Sequence, residues 1–181
     1  MPRFVVLLRG VNVGKGNRLP MVDFKSVLEA LGYADVTTLL NSGNAVFYSS
    51  RRAATRHSKS IAAALLESMG LHVTTVVKSG AEFTAAVAAN PITVPEADHS
   101  KLLVAFAQDR ATLLALEPLQ ALVQPPERLA VGEEAAYLYC ASGILASKAG
   151  AALLGRTGQS VTTRNWATTL RLASLLGGSA A

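Results

Sequence analysis

Apolar positions along this chain recur with two periods, and the change from one to the other marks out its elements. Phe4–Leu8, joined by Val11, is a continuous apolar run rich in β-branched residues, which reads as a buried strand. Pro20 opens a helix. Phe24, Val27, Leu28 and Leu31 then fall at i, i+3, i+4 and i+7, one helical face, and Gly32 stands where a C-terminal glycine belongs. Val36–Leu40 and Ala45–Tyr48 read as strands joined by the turn Asn41-Ser42-Gly43-Asn44, a hairpin. A polar, basic segment, Arg51–Lys59, precedes a helix with Ile61, Leu65 and Met69 on one face and Gly70 at its end. His72–Val77 is a fourth strand, rich in Val and Thr. Residues 3–78 therefore follow the order β-α-β-β-α-β, the split arrangement of ferredoxin-like domains.

The pattern continues less regularly. Ser79-Gly80-Ala81-Glu82 is a capping box opening a helix through Phe83 and Val87, and Asn90-Pro91 stops it. Residues 90–100 read as linker. Leu102–Ala107 is a fully apolar strand. Asp109 caps a helix bearing Leu113, Leu116 and Leu119, which Pro118 kinks or restarts. Arg128–Val131 and Ala136–Cys140 pair as strands, Leu145–Leu154 is a helix, and Ser160–Thr162 is one short strand. Thr163 then caps a last helix with Trp166, Leu170 and Ala173 on one side. Gly177-Gly178 ends it, and a loose tail of Ser179, Ala180 and Ala181 comes after.

The predicted class is α+β: two tandem ferredoxin-like (α/β-plait, βαββαβ) subdomains, the second with a weak last strand, plus a C-terminal helix. The boundaries are 1–78 for a basic first subdomain, 79–100 for a connecting helix and linker, and 101–181 for the second subdomain with its helix.

Composition agrees with a folded protein: 181 residues, 50% hydrophobic and only 16% charged, enough to bury a core. The net charge of +5 is uneven. Residues 1–78 hold ten Lys and Arg against four Asp and Glu, a balance of +6, and the remainder holds seven against eight. A basic half raises the odds of a phosphate-bearing partner, a small molecule or a nucleic acid. Cys140 is the single cysteine, so no internal disulfide forms, which fits a reducing cytoplasm. The first apolar run ends at Arg9, too short for a signal sequence, and no stretch reaches membrane-spanning length. A cytoplasmic protein without a membrane partner is expected.

Candidate chemistry concentrates in Arg9–Arg18, R-G-V-N-V-G-K-G-N-R, which has three glycines, three cations and no acid. It is not a P-loop, because Gly10 and Gly14 are one residue too close and Gly16 follows Lys15. It reads as an anion site in which backbone N–H groups act with Arg9, Lys15 and Arg18, around Gly10, Asn12 and Gly14. A crossover loop with solvated cations explains the same residues. Ser42 and Asn44 join this set if the hairpin turn and the first loop lie at one end of the sheet, which the sequence leaves open. Arg164 in a first helical turn opposes the helix dipole. With Asn165 it would face an anion, or an internal acid such as Glu133 or Glu134 would answer it, with Trp166 in the core.

Other chemistry is sparse. His57, His72 and His99 are scattered and form no ligand motif, so no metal and no cofactor are predicted. Cys140 sits in an apolar strand and reads as an inert buried thiol. Arg51, Arg52, Arg56 and Lys59 form a solvated face or extend a basic stripe across the first subdomain. RNA binding on an open sheet face would need aromatics on the central strands. Phe4, Phe47 and Tyr48 are the ones available, and the RNP1 pattern is absent.

R-G-V-N-V-G at 9–14, Leu19-Pro20-Met21, N-S-G-N-A-V-F at 41–47, Asn90-Pro91, the Tyr137–Gly143 hairpin with Ser147-Lys148, and T-T-R-N-W at 162–166 occur in order along nearly the whole chain. In these the chain resembles the bacterial domain-of-unknown-function family numbered sixteen ninety-seven. The resemblance implies two α/β-plait subdomains and brings no assigned activity or catalytic residue. Two positions depart from the pattern: Lys15 replaces a usual glycine and adds a cation, and Ala167 replaces a usual asparagine. The leading expectation is binding of an anionic ligand, phosphorylated or nucleic-acid, through the Arg9–Arg18 loop. The alternatives are an enzyme on a small anionic metabolite in an inter-domain cleft, and a structural or interaction module. No acid, base or nucleophile names a catalytic residue, and nothing in the sequence sets the oligomeric state.

Overall fold

Side chains on a strand alternate between two faces, so an uninterrupted apolar run folds as a strand covered on both. In the computed structural model, which describes residues 1–178, β1 (Arg3–Leu8) is such a strand. Phe4, Val6 and Leu8 enter one core cluster, while Val5 and Leu7, on the opposite face, are equally closed to solvent. The tail expected to be loose, Ser179 onward, lies outside the described residues.

The chain folds as two units, 1–83 with the residues from Ser174 onward, and 84–173. The first contains β1, α1 (Met21–Ala30), β2 (Ala34–Leu39), β3 (Asn44–Tyr48), α2 (Ala54–Met69) and β4 (Thr75–Ser79). Its four strands form one antiparallel sheet in the order β2-β3-β1-β4. In the second, α3 (Gly80–Ala88), which starts in the first unit, precedes β5 (Leu102–Phe106), α4 (Arg110–Leu114), β6 (Arg128–Val131), β7 (Ala135–Tyr139), α5 (Lys148–Leu154) and β8 (Thr162–Asn165). These strands form a second antiparallel sheet, ordered β6-β7-β5-β8. α6 (Trp166–Gly177) ends the described chain. The class is α+β, with two four-stranded antiparallel sheets and helices.

In the first unit the predicted helix faces do the packing. Phe24 and Leu28 of α1 and Ile61 and Leu65 of α2 are fully buried against β1 and β3, each contributing about 1.5–3 kcal/mol. Tyr33 stacks on Phe47 with ring centroids 4.2 Å apart, and Phe47 on Phe4 at 5.6 Å. His57 meets Phe4 edge-on at 4.6 Å and is itself buried. Its Nε2 lies 3.0 Å from the Arg51 carbonyl, which only accepts, so Nε2 carries the hydrogen. In the neutral ring, Nδ1 then accepts from the Tyr33 hydroxyl at 2.9 Å. Phe4 and Phe47 are thus core residues on the helix side of the sheet, and neither is open to stack on a base.

The last turn of α6 is held by Arg3, which donates to the carbonyls of Leu175, at 3.3 Å, and Leu176. The Arg3 guanidinium lies 4.7 Å from the Tyr48 ring centroid. A cation at a helix C-terminus answers both the orphan carbonyls and the dipole.

In the second unit Leu113, Leu116, Leu119 and Leu153 pack on one sheet face with Leu103, Ala105 and Leu138. The other face is covered as well: the buried Tyr137 hydroxyl donates to the Ala86 carbonyl of α3. Burial, with Glu134 nearby, pushes that phenol up to about 12.

The capping box is present as predicted. Ser79 N–H donates to Glu82 at 2.7 Å and Glu82 N–H to the Ser79 hydroxyl at 3.2 Å. Asp109 accepts from Thr112 N–H at 2.8 Å and caps α4. Several bounds differ. α2 begins at Ala54, so the basic segment supplies its first turns. Leu145–Leu154 is not one helix. Ser147 accepts from Gly150 N–H at 2.9 Å and starts α5, leaving a separate 3-10 turn at Ile144–Ala146. The weak last strand is a regular one: Leu103–Phe106 pairs with all four residues of β8.

Within residues 90–100, expected as linker, a 3-10 turn spans Glu96–Lys101 and carries a polar cluster. Asp98 receives Lys101 at 2.9 Å and the Tyr139 hydroxyl at 2.6 Å, and Arg128 lies 5.4 Å from the Tyr139 ring centroid. The hydrogen bond from Lys101, then that from Tyr139, holds the Asp98 carboxyl below its usual range, while Asp98 raises Lys101. The Asp98 contribution to stability is complete above the ordinary carboxylate value and is lost as pH falls through its lowered one. The Lys101 contribution is complete below the ordinary ammonium value and is lost as pH rises through its raised one. Asp98→Asn is expected to flatten the acid side of the stability profile. Urea unfolding midpoints between about pH 2 and 6, around the ordinary carboxylate value near 3.9, test this. An unchanged acid slope would remove Asp98 as its source.

Candidate functional site

The loop after β1 begins beside the turn between β2 and β3, because antiparallel pairing sets Leu7 opposite Asn44. The first loop and the hairpin turn therefore lie at the same end of the sheet. Leu8 N–H donates to the Gly43 carbonyl at 2.9 Å, and Arg9 N–H to the Thr74 carbonyl at 2.9 Å. These bonds carry the strand ladder one step into the loop on both sides.

Asn12 organises the rest of the loop. Its backbone is left-handed, with φ +56°, a conformation asparagine tolerates. Its Nδ2 donates to the carbonyls of Leu19 and Asn41, both at 2.7 Å, and its Oδ1 accepts from Leu19 N–H at 2.9 Å. One amide thus closes the loop on itself and ties it to the turn. Gly43 makes the approach possible. At φ +79° it lies so close that an added Cβ would stand 2.6 Å from Leu8 Cβ and 2.8 Å from Val11 Cγ2.

Of the predicted residues, Arg9, Gly10, Asn12, Gly14, Lys15, Ser42 and Asn44 come together at this end of the first unit. Their roles differ. Asn44 is fully buried and its Nδ2 donates to the Leu39 carbonyl at 2.9 Å. Arg9 is half-buried, and burial lowers its pKa. Gly14, at φ +57°, and Lys15 are exposed, as are Ser42 and Arg18. Asn12, Arg18, Leu19, Pro20 and Asn41 line an open cavity of ≈ 350 Å³. Neither Lys15 nor Arg18 has an acidic partner among the described residues. Nor do the amides of Gly14 and Lys15 donate to a protein acceptor there, while Gly14-Lys15 form a turn closed from Gly16 back to Val13. No carboxylate, imidazole or thiol lines the cavity. The arrangement can hold a negative charge; its lining offers no proton-transfer group.

Arg164 and Asn165 belong to the second unit, and their setting corrects the sequence reading. Arg164 is not in a helical turn but in β8, opposite Val104. The β-branched pair Thr162-Thr163 extends the strand that far. Asn165, not Thr163, caps α6, its Oδ1 accepting from Thr168 N–H at 2.9 Å. Arg164 is 7% exposed and donates to the Thr162 hydroxyl and the Thr163 carbonyl, both at 2.7 Å. Burial pushes its pKa down to about 10. The dipole conflict that singled it out does not arise, and Glu133 pairs with Arg110 at 3.1 Å.

Sequence reasoning passed over Asn41, whose carbonyl receives the Asn12 amide, and Leu40, at φ +57°. Neither carries a local signal, since the contact joins residues 29 apart in the chain.

A family model described as protein of unknown function (DUF1697) matches residues 1–137. The chain belongs to that family. Its structure is also similar to a solved one, described as the conserved bacterial protein SP0830 from Streptococcus pneumoniae. The TM-score is 0.77 at 21% identity, covering 97% of this chain and 98% of that one. At that identity the likeness concerns the fold. No curated protein matches the chain. Among the described residues no helix is long and apolar enough to cross a membrane.

The packing at Gly43 yields a paired expectation. Gly43→Ala combines left-handed strain with overpacking and should destabilise by about 2–5 kcal/mol. Gly10→Ala, at φ +68° with no atom within 4 Å of its Cβ, carries the backbone term alone, about 1–2 kcal/mol. Urea denaturation of both variants measures the difference, and equal losses would refute the close approach.

Proposed function

We propose that the Arg9–Arg18 loop binds an anionic, phosphate-bearing ligand, a phosphorylated small molecule or a nucleic-acid phosphate. The observation that carries this reading is an exposed cation, Arg18, lining an open cavity with Asn12 and Asn41, and a second exposed cation, Lys15, in the same loop, both without acidic partners among the described residues. The loop amides of Gly14 and Lys15 supply further donors, and the partial charge of such amides favours an anion. Asn12 holds the loop in shape before any ligand arrives, which reduces the entropic cost of binding. The family brings no activity of its own to add.

We also read each unit as a ferredoxin-like plait. The strand orders β2-β3-β1-β4 and β6-β7-β5-β8, antiparallel throughout, support that reading. A cytoplasmic setting is supported by the single cysteine, Cys140, which is buried and whose thiol is pushed up by burial.

Titration with inorganic phosphate, followed by amide chemical shifts, tests the site. Shifts should saturate and centre on Gly14, Lys15 and Gly16. Lys15→Ala and Arg18→Ala should each weaken binding by about 2- to 5-fold, the range of an exposed ion pair. Shifts that are absent there, or unaltered in both variants, would sink the reading.

A further inference from the structure

The structure separates a second basic cluster from the loop. β3 runs from Asn44, beside the loop, to Tyr48, which pairs with Arg3 at the other end of β1. α2 (Ala54–Met69) starts beyond Tyr48, so Arg51 and Arg52 lie at the opposite end of the sheet from Arg9–Arg18, while Arg56 and Lys59 follow on α2, where Ser58 donates to the carbonyl of Thr75, the residue opposite Leu8.

All four side chains are exposed, and none has an acidic partner among the described residues. No acid occupies the first turn of α2, where a negative charge would be favoured. Arg56 and Lys59 are one helical turn apart and face the same way. Arg51 is anchored through its carbonyl by the buried His57. Four like charges thus fall within nine residues, with no acidic partner among the described residues.

We propose that this cluster is a second anion-binding surface, one that docks the phosphate backbone of a nucleic acid without reading its sequence. A row of cations matches a polymer with a charge on every nucleotide, and their release of counterions would drive association. The one aromatic ring among residues 49–60, His57, is buried against Phe4 and Phe47, so none is exposed there to stack on a base. Nor does any large exposed apolar side chain occur in that segment to enter a bilayer, which argues against a lipid surface.

The test is fluorescence anisotropy of a labelled, random-sequence DNA duplex with the whole chain at about 50–200 mM salt. With four phosphate contacts, log affinity should fall against log salt with a slope of about −3 to −4, roughly a 100-fold loss over that range. Arg52→Ala and Arg56→Ala should each reduce the slope by about 1. The reductions from Arg52→Ala and Arg56→Ala should be as large in a background that also carries Lys15→Ala and Arg18→Ala, which separates this surface from the loop. The four variants lie on the surface, and thermal melting should show each as folded as the wild type. The proposal is overturned if the wild type does not bind, or if Arg52→Ala and Arg56→Ala keep the full slope. It is overturned equally if the duplex responds to the loop variants alone. Tighter binding to phosphatidylserine vesicles than to the duplex, lost in Arg52→Ala, would assign the surface to lipid and also overturn it.

Discussion

Much of the first unit depends on one close approach, that of the β2–β3 turn to the end of β1. Gly43 lies where any side chain would strike Leu8 and Val11, and its carbonyl continues the ladder through Leu8 N–H. Once the turn is seated, the Asn41 carbonyl is within reach of Asn12, and that single amide closes the loop at Leu19 and fixes the start of α1. The shape of the candidate site is therefore a consequence of strand packing. Its glycines and asparagine serve the backbone first, and only then leave cations and amides facing outward.

In both sheets the central strands carry buried residues on both faces. In the first unit Val5, Leu7, Val46 and Val76 are as closed to solvent as Phe4 and Phe47; in the second, Val104 and Tyr137 match Leu103 and Leu138. An open face over the central strands is the usual recognition surface of RNA-binding plaits, and here the middle of those strands is buried, with Arg3, Thr37 and Tyr48 at one end of the first sheet bordering a cavity. Solvent-facing chemistry is displaced to the ends of the sheet, where loops and helix starts emerge. In the first unit unanswered positive charge sits there too: Lys15 and Arg18 at one end, Arg51 and Arg52 at the other, with Arg56 and Lys59 following on α2.

The regular elements were legible where a local rule was strong. Phe24, Val27, Leu28 and Leu31 declared α1 by their spacing, and Ser79 with Glu82 declared the start of α3 by a reciprocal pair of hydrogen bonds. Legibility failed where partners lie far apart in the chain. β8 looked weak because Thr162–Asn165 has little apolar content; its identity comes from pairing with Leu103–Phe106. The same pairing took Arg164 out of the helix and with it the reason for placing an anion there. Ser147 divided a continuous apolar helix because its hydroxyl caps Gly150, a local competitor that periodicity does not register.

The sequence by itself determined the α+β class, the order of the elements, the family and the basic character of the first unit, because each of these is written in spacing, composition or short motifs. Tertiary structure alone decided that the first loop and the hairpin turn share one end of the sheet, and that Arg51 and Arg52 lie at the other. Those placements come from strand direction and register. They bring Asn12 to Asn41 and carry Arg51 away from Arg9, and the hydrogen bonds that fix them join residues with no relation along the chain.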